Sequence, residues 1–156
     1  MLLKADTRLE LAIAPGNFQL LEHTGHPLTG RILVVDDLSD AAASLALVCE
    51  IYGAEARVAG DGQQALEVGA AFKPEVVLMD ISMPKMDGYE AARHLRAQDW
   101  GRNVVLIALT GWGRQGDVDA AHAAGFDGHL LKPVDADALI TLITRLRAKS
   151  AAPREP

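Results

Sequence analysis

From residue 31 to residue 149, short β-branched apolar runs alternate with stretches of helical spacing, and no other feature restricts the fold as strongly. The runs Ile32–Val35, Ala54–Ala59, Val76–Met79, Val104–Leu109 and Gly128–Leu131 read as strands. Three of them are almost continuously apolar, the pattern of parallel strands covered on both faces. Between the runs, Leu45, Val48, Cys49 and Tyr52 fall at i, i+3, i+4 and i+7, and Leu139, Leu142, Ile143 and Leu146 repeat the spacing. Gly53 and Gly125 sit where helices should end, and Asp135 or Asp137 could cap the last one. Five strand–helix units in about 120 residues predict an α/β domain, a doubly wound five-stranded parallel sheet with helices on both faces.

Residues 1–30 stand outside this rhythm. Leu9, Leu11 and Ile13 alternate until Pro15-Gly16 stops them, and His23 to Gly30 is rich in turn formers. Two readings follow: a flexible arm or linker, and a short extra element docked on the domain. The domain itself is expected over residues 31–149, with 150–156 as a tail and no second domain after it.

Composition narrows the function. A net charge of −6 argues against a general nucleic-acid binder, which needs a basic face to neutralise phosphates. The single cysteine, Cys49, excludes an intrachain disulfide framework and any cysteine-based zinc cluster. It lies on the apolar stripe of the first helix and reads as inert core. No apolar stretch approaches about 18 residues, so no membrane span is expected. Lys4, Asp6, Arg8 and Glu10 interrupt the N-terminal apolar residues, which do not form a signal peptide. The expected location is the cytoplasm.

In an open α/β sheet, ligands bind beyond the carboxyl ends of the strands. The first strand leads into Asp36 and Asp37, the third into Asp80, the fourth into Thr110, and the fifth into Lys132-Pro133. Three carboxylates, a hydroxyl and an ammonium thus converge on one edge. Clustered carboxylates repel one another unless a cation neutralises them. A hard divalent ion such as Mg²⁺ does so while keeping sites for water and phosphate oxygens. The set describes a phosphoryl-transfer centre in which one carboxylate is the nucleophile. Any one of these residues alone has a bland explanation: a helix cap, a strand-end threonine, a surface lysine.

The ordered stretches V-V-D-D (34–37), M-D-I-S-M-P-K-M-D-G (79–88), A-L-T-G (108–111) and H-L-L-K-P (129–133) resemble a response-regulator receiver domain of two-component signalling. The resemblance covers about residues 30–149. It implies the flavodoxin-like strand order 2-1-3-4-5. It implies Asp80 as phosphoacceptor, Asp37 as direct Mg²⁺ ligand, Asp36 acting on the metal mainly through water, and the Ser82 carbonyl as a further ligand. Thr110 and Lys132 would contact the phosphoryl group, and Lys132-Pro133 would be a cis peptide. Met83-Pro84 and Asp87-Gly88 would shape the loop after the nucleophile. His129 stands where the family usually has an aromatic that moves with the switch threonine; it reads either as that switch or as strand packing. Trp112 is either a partner contact or a lid over the site.

The implied partners are a histidine kinase or a histidine phosphotransfer protein and an unidentified downstream protein, with a homodimer left open. No output domain is legible, so signalling through protein binding is expected, and the chain is not a conventional enzyme. One rival is a phosphorylation-independent binding module with the same fold. Another is an aspartate-nucleophile phosphatase, disfavoured because Ser82 stands where its D-x-D signature needs an acid. The literal G-x-G-x-x-G of Gly111, Gly113 and Gly116 is not a dinucleotide fingerprint. It follows the fourth strand, and Lys132 occupies the position where a ribose-binding acid should end the next strand. His94 and His122 read as ordinary helix-face histidines.

Overall fold

The computed structural model describes residues 27–83, 87–111 and 115–151. Five strand–helix pairs follow in order: β1 Arg31–Val35, α1 Ser39–Ile51, β2 Glu55–Ala59, α2 Gly62–Phe72, β3 Val76–Asp80, α3 Gly88–Ala97, β4 Val105–Thr110, α4 Gln115–Ala124, β5 Gly128–Leu131 and α5 Ala136–Ala151. All strand pairings are parallel and the order across the sheet is β2-β1-β3-β4-β5, as the resemblance implies. Most of residues 1–30, part of the tail, Pro84 and Trp112 lie outside the described residues.

The strand positions follow from hydrophobic patterning. Every residue of the central strands β3 and β4 is buried, because helices cover both faces. One core layer joins Ile32, Val34, Leu78 and Ile107 to Cys49 of α1, to Tyr52 just after it, and to Leu139 and Ile143 of α5. The other joins Leu33, Val35, Val77 and Met79 to Ala65, Ala92, Leu95 and Ala121 of α2, α3 and α4. On α1 the inward stripe is partly shifted: Ala42, Ala46 and Cys49 are buried, while Leu45 and Val48 are only half-buried. Small residues let that helix lie close to the sheet.

Helix ends are set by short polar links. Asp61 accepts from Gln64 N at 2.8 Å and Gln64 Oε1 accepts from Gly60 N at 2.8 Å, a reciprocal cap for α2. Asp87 accepts from Glu90 N, opening α3. Of the two candidates for α5, Asp135 takes the Ala138 N–H at 3.0 Å. Gly53 and Gly125 have φ of +112° and +110°, the left-handed turn expected just past helix ends. Among the described residues no helix is long and apolar enough to cross a membrane.

Candidate functional site

Three strands deliver their last side chains to one edge, and all of the predicted polar residues meet there. Asp36 follows β1, Asp80 ends β3 and Thr110 ends β4; they are the buried polar residues among those described, at 3%, 5% and 6% exposure. The adjacent registers Val35↔Met79 and Asp80↔Leu109 fix their depth in the sheet. Lys132 follows β5, its N–H donating to Thr110 O at 2.8 Å, so the turn after β5 is tied to the end of β4. The Lys132-Pro133 peptide is cis.

The lysine ammonium bridges two carboxylates. Nζ lies 3.0 Å from Asp36 Oδ2 and 3.0 Å from Asp80 Oδ2. Burial by itself pushes the Lys132 ammonium down, but the hydrogen bonds to Asp80 and Asp36 outweigh it and raise its pKa above the ordinary value. The other oxygens are held by the backbone: Asp36 Oδ1 accepts from Leu38 N at 3.0 Å, and Asp80 Oδ1 accepts from Ser82 N at 2.9 Å. Each acid therefore curls over its own following turn, which fixes its rotamer.

Asp37 differs from its neighbour. It is exposed, yet one oxygen from each of Asp36, Asp37 and Asp80 falls within a mutual separation of 4.8 Å. Three carboxylates against one ammonium leave two negative charges unbalanced. Oxygen donors with that surplus suit a hard divalent cation such as Mg²⁺.

The end of β3 and Ile81 pack against the start of α3 at Gly88. A Cβ there would lie 2.5 Å from Ile81 Cα and 2.7 Å from Asp80 O, so only glycine allows the start of α3 to approach the end of β3. A Cβ on Gly111, by contrast, would meet nothing within 4 Å, and Gly111 is exposed. His129 is exposed on β5, beside buried Leu130. His94 stands half-exposed on α3, 3.9 Å from Glu90. Sequence reading did not find the backbone donors at Leu38 and Ser82. An Asp followed two residues later by any non-proline residue is too common to signal such a turn.

Known proteins are similar in sequence and in fold. The family model for the response regulator receiver domain matches residues 32–144. A 14.6 kDa protein of Leptolyngbya boryana is 38% identical over 112 residues, which cover 72% of this chain and 86% of that one. The DNA-binding response regulator MtrA of Mycobacterium leprae is 35% identical over 126 residues, 80% of this chain. This chain matches only 55% of MtrA's length. Among solved structures, the receiver domain of a sensor histidine kinase from Pseudomonas aeruginosa is 32% identical, with a TM-score of 0.69 over 76% of this chain and 97% of that one. That structure is described with a magnesium ion coordinated in its active-site cleft. From the match over residues 32–144 and the five strands in order 2-1-3-4-5, this chain belongs to the family of response regulator receiver domains.

Proposed function

We propose that the chain accepts a phosphoryl group from a phosphohistidine onto Asp80 and signals by binding another protein. The observation that carries this reading is the half-buried Lys132 bridging buried Asp36 and Asp80 beside exposed Asp37, a cluster that holds surplus negative charge at the carboxyl edge. An Asp80 oxygen attacks phosphorus, the P–N bond of the donor imidazole breaks, and its electron pair stays on the ring nitrogen. Backbone and lysine contacts hold the Asp80 carboxylate in one orientation before the donor arrives, which favours in-line attack.

Asp36, Asp37 and Asp80, with the Ser82 carbonyl, would hold Mg²⁺, which when bound neutralises charge on the phosphoryl oxygens. Lys132 would move its hydrogen bond from the Asp80 oxygen to a phosphoryl oxygen, and Thr110 would donate its hydroxyl to another. Of the adjacent acids, Asp37 suits direct ligation because it is exposed, whereas both Asp36 oxygens already accept hydrogen bonds. A phosphoryl group adds roughly −1.5 to −2 units of charge on phosphorylated side chains. In this reading that charge draws Thr110 inward and His129 turns from solvent to follow it. The surface formed by α4, β5 and α5 then changes its partner affinity.

The phosphoryl donor in this reading is a histidine kinase or histidine phosphotransfer protein of the cytoplasm. The net charge of −6 supports a protein, rather than nucleic acid, as the downstream partner. Incubation with acetyl phosphate and Mg²⁺, followed by intact-mass measurement, tests it. A single phosphate adduct is expected. No adduct would favour a phosphorylation-independent binding module, and catalytic phosphate release would favour a phosphatase.

A further inference from the structure

Two donors are buried without a hydrogen-bond partner among the described residues: Trp100 Nε1 and Arg147 Nη2. A buried donor left unpaired forfeits its bond to water, and the loss is larger for a charged group. The two come from opposite faces of the sheet. Trp100 packs on the layer of α2, α3 and α4, whereas Arg147 belongs to α5 on the other side. Yet both line one cavity of about 420 Å³ beside the amino ends of β3 and β4, together with Pro74, Val104 and Val105.

Each group is placed by its neighbours. Gly69 of α2 makes room for the indole: a Cβ there would lie 2.7 Å from Cζ3 and overlap Cη2 and Cζ2. That contact seats the benzene ring on α2 and leaves Nε1 on the edge farther from Gly69. Arg147 Nη1 donates to Thr29 Oγ1 at 3.5 Å, the outer limit of a hydrogen bond, so this link holds the guanidinium weakly.

We propose that this cavity binds a small organic monocarboxylate, its carboxylate accepting from Trp100 Nε1 and Arg147 Nη2. Both groups only donate, which calls for an acceptor, and a guanidinium bonds an anion more strongly than a neutral group. Among the described residues the lining holds one acid, Glu75, whose Oε2 accepts from Arg31 N at 3.0 Å. Its charge disfavours a dianion such as phosphate more than a monoanion. Pro74, Val104 and Val105 offer an apolar wall to a short alkyl chain. Neither nitrogen is exposed, so entry requires the half-buried Arg147 side chain to leave Thr29 and swing outward, a movement that its long bond permits. The site lies at the end of the sheet opposite Asp80, and unphosphorylated protein suffices to test it.

Proton–nitrogen NMR of the full chain tests the proposal through the indole N–H of Trp100. The chain has two tryptophans, and Trp112→Phe identifies which resonance belongs to Trp100. Sodium butyrate is the probe, with sodium chloride at equal ionic strength as control. The Trp100 resonance is expected to move and saturate, with half-saturation at about 1–10 mM, a range suited to a ligand of about six heavy atoms. Arg147→Met keeps the apolar stem and should weaken binding at least about tenfold through loss of the charge-assisted bond. In Trp100→Phe the Asn103 amide, in the same lining, replaces the indole as reporter, and saturation should weaken there too. A shift that grows linearly and matches chloride would overturn the proposal and leave both donors to water. Saturation unchanged in Arg147→Met would overturn it as well. Saturation by inorganic phosphate but not by butyrate would overturn the carboxylate assignment.

Discussion

Two half-buried cations stand at opposite ends of the sheet, and they are treated differently. At the carboxyl end, Lys132 bridges Asp36 and Asp80 while Asp37 stays outside the bridge, leaving negative charge unanswered. At the amino end, every guanidinium nitrogen of Arg96 donates: to the carbonyls of Gly101, Arg102, Val104 and Gly125 and to Asp127 at 2.9 Å. Asp127 in turn accepts from Leu106 N. The balanced cluster pins the turns before β4 and β5. The unbalanced one costs stability through repulsion and is held in shape by backbone contacts, which is the arrangement a cation and a phosphoryl group can complete. Charge balance, more than burial, separates the structural end from the reactive end.

That contrast breaks most completely at Asp80. Asp80→Asn keeps the shape of the side chain but cannot form an acyl phosphate, so phosphate incorporation from acetyl phosphate should vanish. Because the amide relieves repulsion with Asp36 and Asp37, the variant should melt at the same temperature or higher. A lower melting temperature by several degrees would mean that this end is balanced after all.

The opposite result is expected at Arg96. Arg96→Met leaves four carbonyls and Asp127 without their donor and should lower unfolding free energy by about 2–3 kcal/mol in urea titration, with phosphorylation of the folded fraction unchanged. Loss below 0.5 kcal/mol, roughly the noise of a surface substitution, would show that solvent replaces the guanidinium.

A smaller effect distinguishes the two adjacent acids. Asp37→Ala should weaken Mg²⁺ binding by about tenfold or more, measured by calorimetry, and Asp36→Ala should weaken it less. If Asp36→Ala proves the more damaging, the direct ligand is the buried acid and the roles are reversed.

The smallest effect lies away from both ends. Burial pushes the Cys49 thiol up from 9.0 to about 12, with Glu50 adding to the shift. The folded state therefore holds this proton more tightly than the unfolded state. Its contribution to stability is full below pH 9 and is lost as pH rises from there towards about 12. Cys49→Ala should flatten that part of the stability–pH curve, and native Cys49 should resist alkylation at pH 8 until the protein is unfolded. Rapid labelling of the native protein would show that α1 opens locally.

The sequence by itself determined the repeating units and the chemistry of the edge. Apolar runs and helical spacings are local signals, and four of the five strands carry an Asp, Thr or Lys at or just past their ends to the same edge because parallel strands share a direction. Strand ends were legible to within about a residue for the same reason. Tertiary structure decided what local pattern leaves equivalent. In V-V-D-D both acids look alike, but only Asp36 turns inward, where Lys132, 96 residues away, meets it. Asp135 rather than Asp137 caps α5, because the helix begins at Ala136 and leaves Asp137 inside its first turn. Arg96 reads as one more helix-surface cation, and its partners Gly125 and Asp127 come from 29 and 31 residues further along. The need for glycine at position 88 appears only when α3 closes on Ile81. Such contacts depend on how separate elements meet in space, and periodicity carries no information about that.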